Sequence, residues 1–214
     1  MNLQDLFEQD TDEGWKSTVA GLGLAAVAGT GMHQYASQPV SSASKTTAPV
    51  AQAQTPQALL KQAAESAGLQ GTELAQFMAQ CAHETANFTR IGEIGTEKYF
   101  TKKYENPRAK KILGNTQAGD GARFKGRGYI QLTGRDNYTR AGKSLNIPLA
   151  QYPDLAARPD VASKVAVWYW KNRVATKVSD FSNTKATSHA INPRGQHTDR
   201  RQVKFQQYSQ DTGI

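Results

Sequence analysis

Apolar residues recur at intervals of three and four positions in three stretches of the chain. The stretches contain Leu59, Leu60, Ala63 and Ala64, then Leu74, Phe77, Met78 and Cys81, and later Val161, Val165, Val167 and Trp168. This spacing places side chains on one face of a helix, so each stretch predicts an amphipathic helix. Pro56 suits a first helical turn, and Thr72 and Asp160 are the predicted N-caps of the other two helices. The sequence shows no βαβ alternation, which favours a mainly α fold.

The first 55 residues differ in composition from the rest of the chain. Within residues 1–35, an acidic start is followed by small and apolar residues at 15–32, where the uncharged run is shorter than the about 20 residues of a spanning helix. An acidic flank is also unlike the basic start of a cleaved secretion signal. We therefore expect a membrane-interacting segment or a packing tail. Residues 36–55 have linker composition, and residues 56–214 should form the compact domain.

Positive charge is concentrated in the predicted domain. The chain carries +8 in total, and the 24 basic and 13 acidic residues after position 55 give that part +11. A body this basic attracts polyanions, among which nucleic acid, anionic lipid and bacterial cell wall all qualify. No nucleic-acid-binding motif and no basic-aromatic run is present, so nucleic acid is not an expected partner. The lone Cys81 excludes an internal disulfide and any cysteine-pair metal site.

The carboxyl groups are the first candidates for chemistry. Glycoside hydrolysis commonly uses two of them, one as acid and one as base or nucleophile. Glu84 ends a strongly apolar stretch, where partial desolvation favours a protonated carboxyl, although a surface or capping role stays open on this pattern alone. Glu93 follows nine residues later, which on a continuous helix is half a turn out of phase. We therefore predict that the helix ends at residues 87–90 and that Glu93 lies on the following loop.

The most specific pattern in the chain is the block at residues 119–138, GDGARFKGRGYIQLTGRDNY. Together with His83-Glu84-Thr85 upstream, it resembles glycoside hydrolase family 19, which comprises the chitinase-like enzymes and, more closely, bacteriophage endolysins. Residues 190–195, AINPRG, and Asp199-Arg200-Arg201 are similar to the Ile-Asn-Gly-Gly segment and trailing arginines of that family. The resemblance covers about residues 56–210.

The resemblance implies a role for each matching residue. Glu84 matches the general acid, Glu93 the base that activates water, and Thr133 the hydroxyl that helps to hold that water. Glu97 is the alternative base. Sugar-contacting positions are matched by Tyr129, Gln131, Asn137 and Asn192. Pro193-Arg194 replaces the usual Gly-Gly, which leaves the role of Asn192 open.

The resemblance also implies a fold and a mechanism. The family has a lysozyme-like, mainly α fold with a deep cleft between two lobes, here preceded by a flexible N-terminal extension. It inverts anomeric configuration without a metal, a cofactor or a covalent intermediate. Room for a water then requires the two carboxyls to lie about 6.5–9.5 Å apart or more. Arg127, by contrast, is expected to brace an acidic side chain rather than to contact the substrate.

The expected function is hydrolysis of β-1,4 bonds in bacterial peptidoglycan by a monomeric catalytic domain of a phage endolysin or virion-associated lysin. Such a protein would pass from the host cytoplasm to the periplasm and cell wall, or travel in the virion, with membrane or virion contact through residues 15–32. Chitin is the alternative substrate. A non-catalytic wall-binding or virion structural protein is the alternative of another class, but a binding module has no need of a proton donor.

Overall fold

The computed structural model describes residues 54–191 and 197–211, which form nine α-helices. The helices are α1 (Pro56–Ser66), α2 (Gly71–Glu84), α3 (Glu97–Tyr104), α4 (Pro107–Leu113), α5 (Asp120–Arg123), α6 (Arg135–Leu145), α7 (Pro159–Tyr169), α8 (Thr184–Ile191) and α9 (Thr198–Asp211). A 3-10 turn at Pro153–Ala157 precedes α7, and a π-helical turn at Trp170–Val174 follows it. In this part of the chain, extended pairing is limited to isolated bridges that involve Arg127. The prediction of a mainly α fold is confirmed.

The predicted N-terminal segment at residues 1–35 and nearly all of the predicted linker lie outside the described residues. The structure therefore leaves the expected membrane or packing role of residues 15–32 as a prediction. Among the residues that it does describe, no helix is long and apolar enough to cross a membrane.

The starts of the helices agree only in part with the sequence. At α1, the Thr55 hydroxyl accepts a hydrogen bond from the Ala58 N–H at 3.2 Å, and Pro56 occupies the first helical position. The predicted caps of α2 and α7 are wrong. Gly71 and Pro159 begin these helices, so Thr72 and Asp160 lie inside the first turn instead of before it. A carboxylate in the first turn still stabilises the positive end of the helix dipole.

Two hydrophobic clusters organise the described residues. The larger is built from α1, α2, α6, α7 and α8, and its largest side chain, Trp170, meets Phe77 edge-on at 5.3 Å between ring centroids. The indole N–H of Trp170 donates to Glu73 at 2.9 Å, so this buried polar group is satisfied. The smaller cluster comes from α3 and α4 and contains Phe100, Tyr104, Ala109 and Leu113. Two separate clusters agree with a two-lobed domain.

Helix α2 ends at Glu84, earlier than the predicted residues 87–90. The next residue, Thr85, is fully buried, and its hydroxyl donates to the Cys81 carbonyl at 2.7 Å. The same oxygen accepts from the Phe88 N–H at 3.0 Å. The threonine of the His-Glu-Thr motif therefore fixes the end of the helix.

The chain then turns through three consecutive left-handed residues. Ala86, Asn87 and Phe88 have φ angles of 48°, 59° and 63°. Asparagine tolerates this region, whereas alanine and phenylalanine cost about 1–2 kcal/mol each, which the hydrogen bonds of Thr85 must offset. This turn takes the backbone out of the helix direction before Glu93. Glu93 accordingly lies on a loop, as predicted.

Candidate active site

Glu84 forms an ion pair with a distant arginine. Its Oε1 atom lies 2.6 Å from Nη2 of Arg201 on α9, and the two side chains are 10% and 3% exposed. The sequence suggested mainly apolar surroundings for this carboxyl, so the guanidinium is a correction to that picture. A hydrogen bond from a cation stabilises the carboxylate that remains after a proton has been given away. The ion pair also fixes the position of this carboxyl.

A row of buried amides holds Arg201 in place. Its Nη1 donates to Oε1 of Gln80, and Nε2 of Gln80 donates to Oε1 of Gln76 at 3.1 Å. Nε2 of Gln76 then donates to the Thr184 hydroxyl of α8 at 2.9 Å. This network was not among the features predicted from the sequence. Its signal was the i, i+4 spacing of Gln76, Gln80 and Glu84, a polar stripe on an otherwise apolar helix.

Glu93 is anchored by three donors. Lys103 Nζ lies 2.9 Å from its Oε1, while the Tyr104 hydroxyl and the Gly126 N–H donate to Oε2 at 2.7 and 3.2 Å. Burial, together with the negative charge of Glu93, raises the pKa of Tyr104 far above its usual range, so the phenol remains a donor. Tyr104 belongs to the smaller cluster, whereas Glu84 ends α2, whose apolar side chains belong to the larger one. The two carboxyls are therefore attached to different clusters.

The predicted base, the hydroxyl predicted to hold its water and one predicted sugar contact meet at a glycine. A Cβ atom at Gly126 would lie 2.8 Å from Gln131 Oε1, 3.2 Å from Glu93 Oε2 and 3.4 Å from Thr133 Oγ1. The Thr133 hydroxyl donates to the Gln131 carbonyl at 2.8 Å. Glu97, the alternative base, is instead the exposed first residue of α3. The geometry therefore favours Glu93 for the second carboxyl.

Two other predicted sugar contacts have structural partners. Tyr129 is 0% exposed, its ring packs edge-on against Phe88 at 5.7 Å, and its hydroxyl donates to the Pro56 carbonyl at 3.4 Å. The prediction that the Tyr129 side chain contacts sugar is therefore corrected, because its ring lies in the core. Asn137 is also buried and donates to the Thr133 carbonyl at 2.8 Å, so its sugar contact stays a prediction.

Arg127 has the bracing role that the sequence suggested. Nη2 pairs with Asp154 at 2.8 Å, and Nη1 donates to the Arg123 carbonyl and to the Tyr138 hydroxyl at 2.9 and 3.1 Å. The remaining predicted residue, Asn192, lies outside the described residues. Within residues 54–191 and 197–211, no three His, Cys, Asp or Glu side chains are grouped so that they could hold a metal ion.

Comparisons with known proteins agree on one family. The family described as class I chitinases, glycoside hydrolase family 19, matches residues 43–197. The chain is 31% identical over 160 residues to a glycosyl hydrolase family 19 domain-containing protein of Haemophilus influenzae, which covers 64% of this chain and 78% of that protein. It is 34% identical over 143 residues to an endochitinase of Arabidopsis thaliana, with 64% of this chain and 47% of the plant protein covered, so it spans about half of that relative. The crystal structure of chitinase C from Streptomyces griseus superposes with a TM-score of 0.57 and 27% identity, which covers 74% of this chain and 69% of that one.

Proposed function

The chain belongs to glycoside hydrolase family 19 and has the lysozyme-like fold of that family, and on this basis we propose that it hydrolyses β-1,4-glycosidic bonds in bacterial peptidoglycan. One observation carries the catalytic part of the proposal. Two carboxyls that match the acid and base positions of the family are each held by a cation and tied to different hydrophobic clusters, Glu84 by Arg201 and Glu93 by Lys103. Hydrolysis by an acid and a base uses two such carboxyls, one to protonate the leaving oxygen and one to activate water.

In the proposed reaction, Glu84 gives its proton to the glycosidic oxygen as the bond to the anomeric carbon breaks. Arg201 stabilises the carboxylate that forms. Glu93 takes a proton from a water that attacks the anomeric carbon from the opposite face, and the neighbouring Thr133 hydroxyl helps to position this water. Attack from that face inverts the configuration and needs no covalent intermediate.

The charge of the chain favours peptidoglycan as the substrate. The net charge of +11 on residues 56–214 attracts an anionic polymer. Chitin is neutral, so this charge would not strengthen its binding. Chitin is the second candidate, because the plant relative is named an endochitinase and the similar bacterial structure is a chitinase. We further propose a phage endolysin or virion-associated lysin as the biological setting, with residues 15–32 contacting a membrane or a particle.

Two assays with one variant test the proposal. Turbidity loss of outer-membrane-permeabilised bacteria measures wall lysis, and release from soluble chitin oligomers measures chitinase activity. We expect lysis by the native protein and a loss of about 10²–10⁴-fold in Glu84→Gln, since an amide cannot supply the proton. The matched control is Glu65→Gln, which removes an exposed carboxyl paired with Lys61.

The outcomes separate the candidates. Unchanged lysis in Glu84→Gln would refute Glu84 as the proton donor. Cleavage of chitin oligomers without wall lysis would support the chitinase instead. Wall binding by the native protein with neither activity would point to a non-catalytic role.

A further inference from the structure

Lys204 places a cation beside the end of α2 without an acidic partner. It lies on α9, is half-buried, and its Nζ donates to the side-chain oxygen of Asn87. Within the described part of the chain, no carboxylate forms an ion pair with it. Burial lowers the pKa of Lys204 because desolvation of the ammonium is not offset by a nearby anion. A half-buried cation held only by a neutral amide has unused capacity to bind an anion.

Other basic side chains surround this place, and Arg200 is the one among them that adds a permanent positive charge. His83 and His197 lie with their rings 5.8 Å apart, and exposed Arg200 precedes Lys204 by four residues on α9. Burial lowers the pKa of His83 to about 3, helped by the positive charges of Arg201, His197, Lys204 and Arg200. Each of these four side chains is therefore close enough to His83 to influence its charge.

Among the described residues, carboxylates neutralise this region only in part. Glu84 is already paired with Arg201 at 2.6 Å, and Asp199 is exposed at the start of α9. The pair cancels the charge of Arg201, and the solvent-exposed Asp199 offsets that of its neighbour Arg200, so the charge of Lys204 remains. An incoming anion would thus meet a positive potential next to Glu84.

Two separate segments hold Lys204 near Glu84. Asn87 follows Glu84 by three residues, and its left-handed conformation, with φ at 59°, belongs to the turn fixed by Thr85. On α9, Lys204 follows Arg201 by three residues, a spacing that places Cβ atoms about 5–6 Å apart. A sugar bond that reaches Glu84 therefore brings the substituents of its sugars close to Lys204.

We propose that Lys204 and Arg200 form an anion subsite that binds a carboxylate of the peptidoglycan strand beside the bond to be cleaved. The inference rests on the proposed function, since neutral chitin offers no anion. The carboxylate belongs either to the lactyl group of a muramic acid residue or to the stem peptide attached to it. In either case a charge-assisted hydrogen bond in a half-buried site is less screened than one on the open surface.

Binding of three glycans, measured by calorimetry, tests the subsite. All proteins carry Glu93→Gln, which slows hydrolysis and leaves the charges around Lys204 in place. The probes are the neutral N-acetylglucosamine hexamer, a peptide-free strand of alternating N-acetylglucosamine and N-acetylmuramic acid, and the same strand with stem peptides. The variants are Lys204→Gln, Lys204→Arg and, as the matched control at an exposed position of α8, Lys185→Gln.

We expect Lys204→Gln to weaken binding of an anionic strand about tenfold, the loss of one good charge-assisted contact. Lys204→Arg should restore the affinity, and binding of the neutral hexamer should stay the same in every variant. A loss on both anionic strands assigns the contact to the lactyl carboxylate, and a loss on the peptide-bearing strand alone assigns it to the stem peptide. Equal loss on the neutral hexamer, or no loss on either anionic strand, overturns the subsite.

The lysis assay separates this inference from the proposed function. A native protein that cleaves chitin but not the wall, while Lys204→Gln still selectively weakens anionic binding, refutes peptidoglycan hydrolysis and supports the subsite. If the native protein lyses the wall but Lys204→Gln binds the anionic strands as tightly as the reference, peptidoglycan hydrolysis is supported and the subsite is refuted.

Discussion

Replacing His83 with glutamine should flatten the dependence of folding stability on pH below neutrality. Burial and the surrounding positive charges lower the pKa of His83 from 6.5 to about 3 in the folded protein. The native state then binds fewer protons at this position than the unfolded chain. The stability that neutral His83 contributes is therefore complete above pH 6.5 and is lost progressively as the pH falls toward 3.

The size of the effect follows from the two pKa values. At about pH 5 the unfolded imidazole is protonated and the folded one is not, which sets an upper limit of about 2 kcal/mol. Because His83 is only partly buried, solvent screening reduces this figure, and we expect about 1 kcal/mol. That is a measurable fraction of the stability of a domain of this size.

Urea unfolding followed by tryptophan fluorescence at about pH 7.5 and about pH 5 measures the effect. The native protein should lose about 1 kcal/mol more than His83→Gln over this interval. His189→Gln, which removes an exposed histidine on α8, is the matched control. If His83→Gln loses as much stability as the native protein, the cationic surroundings of Glu84 do not act on His83 as described.

Three further substitutions test the support of the site. Gln80→Leu removes the acceptor of Arg201 and should lower kcat by up to about 100-fold with little change in KM, measured on soluble oligomers; an unchanged kcat would show that the amide row has no positioning role. Gly126→Ala places a Cβ 2.8 Å from Gln131 Oε1, so activity should fall while the melting temperature, followed by circular dichroism, changes little. Thr85→Val removes both hydrogen bonds of the hydroxyl and should lower the free energy of unfolding by about 1–3 kcal/mol in urea titrations, and full stability would contradict its role in the turn.

The parts of the fold that could be predicted are those that leave a local trace. Apolar side chains at helical spacing located α1, α2 and α7, because that spacing follows the buried face directly. Helix ends depend on single contacts. Thr72 looked like a cap, but α2 had already begun at Gly71. The early end of α2 depends on the hydroxyl of Thr85, whose partners no residue pattern displays.

The site divides in the same way. The half-turn spacing from Glu84 predicted that Glu93 lies on a loop, and the structure brings it beside Thr133 of the motif block. The partner of Glu84 could not be predicted, because nothing near Glu84 in the sequence specifies which of the arginines packs against it. The side chain of Tyr129 was assigned to sugar binding, since a motif gives position in the chain but not the direction in which a side chain points.

The ion pair between Glu84 and Arg201 joins positions 117 residues apart. Synthesis proceeds from the N-terminus, so α2 exists long before the residues of α9 have been added. Until α9 packs, the carboxyl has no guanidinium and Gln80 has no charged partner. A growing chain, or one cleaved by a protease before α9, carries the complete His83-Glu84-Thr85 motif, but its Glu84 lacks the Arg201 partner. The order of assembly itself therefore keeps this carboxyl incomplete until the last described helix is in place.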